Sequence, residues 1–146
     1  MIDPSYEIIH AIVTLLNTKL TYGTTRFSVY EDLSPTRQEN NYVWFPDIIV
    51  TDESTADDEY LKGVQLTIQV VSTGHREKVS RKAIVGIGSI ILNTLIRVTL
   101  SMANNVMSYT PELVSINHGV PINEDGSMSM VSNYVLEMKV EESIGE

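Results

Sequence analysis

The segment Val64-Gln65-Leu66-Thr67-Ile68-Gln69-Val70 decides how this chain folds. Apolar residues at every second position put Val64, Leu66, Ile68 and Val70 on one face of a strand, with Gln65, Thr67 and Gln69 on the other. Antiparallel sheets are the kind that bury one face and leave the other to water, so the pattern predicts a half-covered antiparallel sheet. The strand is read over Leu61 to Ser72, and Ser72-Thr73-Gly74 is read as turn and cap chemistry for a following helix.

That helix runs from His75 to about Leu95 by length and pattern. Its first turns hold Arg76, Glu77, Lys78, Arg81 and Lys82, a local positive patch that reads as a solvated helix face. Its later turns put Ile84, Ile87, Ile91 and Leu95 on one side and Val85, Leu92 and Ile96 on another. One sheet covers one side of a helix, so the second apolar side needs a further cover. Two covers fit: a neighbouring subunit, with Val85, Leu92 and Ile96 as its interface, or the segment from Arg97 to Met107 folding back. Gly86-Ile87-Gly88 has Ile91 where a dinucleotide fingerprint needs its third glycine, so the glycines are read as points of close backbone approach.

On the N-terminal side, Tyr42 to Thr51 is rich in aromatic and β-branched residues, and Pro46 in its middle implies an edge position, a bulge or a break; two strand halves are expected. Asp52 to Glu59 carries Asp52, Glu53, Asp57, Asp58 and Glu59 and reads as a solvated acidic loop. Glu31 to Asn41, with Pro35, is an exposed connection, and Arg26 to Tyr30 is a short strand. From Pro4 to Leu20, residues Ile8, Ile9, Ile12, Leu15, Leu16 and Leu20 recur at helical spacing, and Gly23 closes that helix. At the other end, Asp125-Gly126 marks a hairpin turn, and Tyr134, Leu136, Met138 and Val140 alternate as a last strand. Helix, strand, broken strand, strand, helix, strand, strand makes an α+β domain: a mainly antiparallel sheet with two principal helices packed on one face.

With 146 residues, one domain over residues 1–146 is expected. Ten Lys and Arg against nineteen Asp and Glu give a net charge of -9, which disfavours groove-type binding of nucleic acid and adhesion to anionic lipid. There is no Cys, hence no disulfide, thiolate metal site or thiol nucleophile. Met1-Ile2-Asp3-Pro4 has no basic leader, and Ala83 to Ile96 falls short of the roughly 18 apolar residues of a membrane span. Neither export nor a membrane partner is expected.

Catalytic signatures are sparse. His10, His75 and His118 stand far apart, outside any metal-binding spacing. The acidic run lacks the alternating ligands and central Gly of a calcium loop, and no GxSxG occurs. No catalytic, metal or cofactor-binding residue is assigned, and no enzyme is expected. A small acidic bacterial binding module or enzyme, its site assembled from His75, His118 and the acidic loop, is the alternative from a different class.

An Ile/Leu-rich helix, Val29-Tyr30, a loop with Pro35, and Asn41-Tyr42-Val43-Trp44-Phe45 follow one another in a recognisable order. An acid-rich loop, the strand from Val64 to Val70, the helix with Ile84, Ile87, Ile91 and Leu95, and Tyr134-Val135-Leu136-Glu137-Met138-Lys139-Val140 complete it. In this order the chain resembles the tail-completion or tail-terminator proteins of tailed bacteriophages; Pro46-Asp47-Ile48-Ile49-Val50 and the apolar stretch from Val98 to Met107 depart from it. The resemblance implies a structural virion protein without catalysis or cofactor, assembled in the host bacterial cytoplasm. It implies a closed ring, usually of six copies, at the head-tail junction, touching the tail tube and the head connector, with DNA only as passing cargo. A stopper or adaptor ring is the neighbouring alternative. Asp52, Glu53, Asp57, Asp58 and Glu59 are then candidates for a lumen or rim loop.

Overall fold

The structure, a computed structural model, describes residues 3–32, 41–54, 61–74, 81–100, 102–107, 110–119 and 128–142. Helix α1 spans Ser5–Leu16. The Asp3 carboxylate accepts hydrogen bonds from the Ser5 amide (2.9 Å) and hydroxyl (2.6 Å), which fixes the chain at its start. Ile8, Ile12 and Leu16 form its buried stripe, each four residues from the next. The helix ends a turn before the expected Leu20, because Asn17-Thr18-Lys19 offers nothing apolar to bury; Leu20 is buried separately, in front of a small hairpin. That hairpin pairs β1 (Thr21–Tyr22) with β2 (Thr25–Arg26). Gly23, at φ 62°, makes its two-residue turn instead of closing the helix, since that turn needs a positive φ at its first position.

The main sheet has the order β3-β4-β5-β8-β6, with β3 at Ser28–Val29, β4 at Asn41–Asp52, β5 at Leu61–Gly74, β6 at Asn105–Met107 and β8 at Met128–Glu142. Strand β7, Glu112–Gly119, pairs with β8 on the same side as β6 but farther along. Only β3 runs parallel to its neighbour; the other pairs are antiparallel. Strand β5 lies between β4 and β8, and the alternating row Val64, Leu66, Ile68 and Val70 is buried on its inner face. Both helices pack on that face, so the architecture is the expected α+β one with a mainly antiparallel sheet.

Two expectations are corrected. Pro46 does not split the Tyr42 to Thr51 stretch: β4 is one strand, with its register shifted between Trp44 and Asp47. Beyond Tyr42 and Val43, which pair with β3, this strand is the sheet edge among the described residues, so a residue lacking N–H interrupts no ladder there. Ser72-Thr73-Gly74 is strand, not cap. It pairs with Met130, Ser129 and Met128, and the Ser72 hydroxyl donates to Asn41 Oδ1 at 2.6 Å. The second helix, α2, is Arg81–Leu95; His75, Arg76 and Lys78 lie outside the described residues, as do Pro35 and the Asp125-Gly126 turn.

The glycines of α2 have a different reason from the one expected. A Cβ on Gly86 would meet the ring of Tyr22, and one on Gly88 would overlap the hydroxyl end of Tyr134. They accommodate tyrosine side chains, not another backbone. Gly88→Ala therefore overpacks the interface between α2 and β8 and is expected to cost about 1–3 kcal/mol, read as a lowered urea midpoint. In Gly86→Ala the Tyr22 ring, on a peripheral hairpin, moves aside and the gain of about 1 kcal/mol in helix propensity offsets the loss.

Candidate functional site

At about 100° per residue, Val85, Leu92 and Ile96 fall within one narrow arc of α2, beside the buried arc of Ile84, Ile87, Ile91 and Leu95. The flank across from them is occupied, with Gly86 against Tyr22 of the hairpin. Val85 and Ile96 are 40% and 37% exposed, and Leu92 is half-buried against the core. Among the described residues, the segment after α2 does not cover them. Leu100 and Met102 turn into the core, and the chain continues as β6 against the far end of β8.

The apolar flank looks towards β7. Arg81, on the same side of α2, lines a small depression with His118 and Gly119 of β7. All eight residues of β7 are exposed. Register puts Leu113 opposite Leu136, and Ile116 opposite Tyr134, which itself lies under Gly88. Their side chains therefore share the inner face, beyond the reach of α2, and a break in register brings Val114 outward between them. The flank of α2 and the inner face of β7 thus make an open apolar corner, with Arg81 and Lys82 at one end and Arg97 at the other, all exposed.

The remaining surfaces are mixed, with Tyr6, Ile49 and Val106 exposed singly. On the outer sheet face the Trp44 indole donates to Gln69 Oε1 (2.6 Å), and the Gln69 amide donates to Asn133 Oδ1 (2.9 Å). Beside them is a shallow cavity of about 430 Å³ lined by Tyr42, Asn117 and Asn133. A longer groove of about 1030 Å³ runs between α1 and residues 98–104, past Tyr6, His10, Leu15 and Met102. Of the histidines, His10 and His118 lie apart, and His75 is outside the described residues. His10 stacks on Tyr6 and contacts the Glu31 carboxylate. His118, for which the sequence offered no partner, hydrogen-bonds through Nδ1 with the Ser132 hydroxyl at 2.6 Å, because the pairing of β7 with β8 sets them opposite. Among the described residues no three His, Cys, Asp or Glu side chains could hold a metal, and no helix is long and apolar enough to cross a membrane.

Of the acidic run, Asp57, Asp58 and Glu59 lie outside the described residues. Asp52 ends β4, and hydrogen bonds from the Ser54 hydroxyl and from the Ser54 amide (2.9 Å) lower the pKa of its carboxyl. The Glu53 amide donates to the Leu61 carbonyl (3.0 Å), and its side chain crosses over Gly63 to Lys139 (3.2 Å). These two residues close a strand pair instead of floating in a loop.

Sequence reading missed one cluster. Lys62, 1% exposed, donates from Nζ to Glu142 (2.9 Å) and lies 3.5 Å from Asn105 Oδ1. The Asn105 amide donates to Glu7 Oε2 (2.7 Å), and Asn104 donates twice to Glu7 Oε1. Together they tie α1 to β5, β6 and β8. The signal was present: Lys62 is in phase with Val64, Leu66 and Ile68, at an inner-face position.

No family model matches this sequence, and no curated protein does. Solved structures do match. One belongs to a virion. It is a chain in the virion of a native gene transfer agent particle, similar with a TM-score of 0.59 over 89% of this chain and 84% of that one, at 15% identity. At that identity the likeness is one of fold.

Lys62→Met leaves Glu142 without its buried ammonium and is expected to destabilise the fold by about 3 kcal/mol in chemical denaturation. Burial pushes the Tyr134 hydroxyl above its ordinary 10.0, a Ser132 hydrogen bond pulling weakly the other way. Burial, with Tyr30 nearby, raises Tyr42 as well. These raised values stabilise the fold fully below pH 10.0, and the contribution is lost as pH climbs through the folded values. The thermal midpoint is therefore expected to fall as pH rises above 10.0, and Tyr134→Phe to flatten that fall; an unchanged slope contradicts the assignment.

Proposed function

We propose that this chain is a structural virion protein that assembles with copies of itself into a closed ring at the head-tail junction of a phage-like particle. The observation that carries the reading is the apolar corner of α2 and β7. A chain with a complete core still leaves Val85, Ile96, Leu113, Val114 and Ile116 open to water, the condition of a subunit and not of a monomer. The fold shared with a virion chain supports the same reading. So does the order of elements that resembles the tail-terminator proteins.

In this role Val85, Leu92 and Ile96 form part of the subunit interface, and work is done by contacts, with neither catalysis nor cofactor. The ring completes the tail tube, meets the head connector, and is built in the host bacterial cytoplasm before it becomes part of the particle. A net charge of -9 per subunit keeps passing DNA from adhering, because tight phosphate binding needs clustered cations. Asp52, Glu53, Asp57, Asp58 and Glu59 belong to the lumen or rim on this reading. A stopper or adaptor ring would use the same interfaces and differ in which neighbours it meets.

Light scattering after size exclusion is expected to give a closed oligomer, and negative-stain images a ring. Val85→Asp and Ile96→Asp place a charge where an apolar contact forms, and each is expected to leave a folded monomer with a native circular-dichroism spectrum. A wild-type protein that stays monomeric at every concentration, alone and with tail-tube subunits, overturns the proposal.

A further inference from the structure

The apolar corner needs a counter-surface, and the opposite edge of the same sheet has the matching chemistry. That edge is β4 from Pro46 to Asp52. It exposes Ile49 as a lone large apolar residue, 49% accessible, with the exposed carboxylate of Asp47 two positions away on the same face: Ile49 lies opposite Gln65 and Asp47 opposite Thr67. No Lys or Arg occurs on this strand. The corner is the reverse: apolar residues bounded by Arg81, Lys82 and Arg97. In a chain with nine more acidic than basic residues, copies repel one another on average, so contact needs the few cations of one copy to meet the carboxylates of the next.

Resting on the ring reading above, we propose that the occupant of the corner is a second copy of this chain, which docks its β4 edge there with Ile49 against α2 and β7. Asp47 of that copy then faces the Arg81 and Lys82 end of the corner. The contact is made by side chains. Pro46 lacks an N–H and the register breaks between Trp44 and Asp47, so the β4 edge cannot continue a hydrogen-bonded ladder into its neighbour. Corner and edge lie on opposite margins of the sheet, so each copy offers one of each, and the pairing is head-to-tail. Repetition of a head-to-tail contact closes a ring when the rotation per subunit divides a full turn. A self-complementary pairing of corner to corner would stop at a dimer and bring like charges together.

A mixing experiment reads this directly. Val85→Asp disables the corner and leaves the edge intact; Ile49→Asp disables the edge and leaves the corner intact. Both positions are exposed, and circular dichroism checks that each variant keeps the native spectrum; Ile116→Asp repeats the corner lesion on β7. Each variant alone is expected to be monomeric. An equal mixture is expected to give a one-to-one dimer that grows no further, because one good corner meets one good edge and the remaining pair is disabled. Arg81→Glu and Asp47→Lys are each expected to weaken assembly by about tenfold at low salt, and the double reversal to restore it. A mixture that stays monomeric, or an Ile49→Asp protein that assembles like wild type, overturns this pairing while the ring stands. A wild-type protein that never assembles removes the ring reading itself.

Discussion

The close seat of α2 on β8, where Gly88 admits the hydroxyl end of Tyr134, is the constraint on which the rest of the molecule depends. It sets both the height of the helix above the sheet and its roll. With Gly88 held down, Ile84, Ile87, Ile91 and Leu95 are driven into the core. Val85, Leu92 and Ile96, one step round the helix, are turned outward over β7. A roll of one residue would bury Val85 and Ile96 and lift Ile84 and Ile91 into water, exchanging complete burial for partial exposure. The open flank is thus a consequence of the tightest contact in the core.

A second constraint acts at the far end of the sheet. The Lys62 ammonium, buried against Glu142 and Asn105, and the Glu7 carboxylate, taken up by Asn104 and Asn105, hold the start of α1 and the entry to β6 in one polar cluster. Buried charges tolerate little misalignment, because each lost partner leaves an unsatisfied group in a poorly polarisable setting. The segment after α2 is therefore committed to this cluster. It has no slack with which to fold back over Val85 and Ile96, and the intramolecular cover that the sequence left open is not made.

Function follows from what these two constraints leave over. Among the described residues, His10 of α1, His118 of β7 and Glu53 beside the edge of β4 are each engaged locally, whereas five of the eight exposed large apolar residues lie along the α2 flank and on β7, with Arg81 and Lys82 at one end. A surface of that composition is suited to joining protein to protein. The counterpart proposed on β4 is small and acidic, and Pro46 interrupts strand addition along it, a property suited to the closed assembly proposed above.

The alternation of Val64, Leu66, Ile68 and Val70 and the helical spacing of Ile84, Ile87, Ile91 and Leu95 determined the elements and their buried faces. Periodicity is a local property, and burial follows it wherever one face is covered. The second apolar side of α2 was equally legible, as was the phase of Lys62, although its meaning was not. Tertiary structure decided the rest. Whether Arg97 to Met107 would cover Val85, which rings would fill the space over Gly86 and Gly88, that His118 would meet Ser132, and that Pro46 would lie at an edge all depend on which strands become neighbours. Strand order brings together residues far apart in the chain, and no short-range pattern encodes that choice.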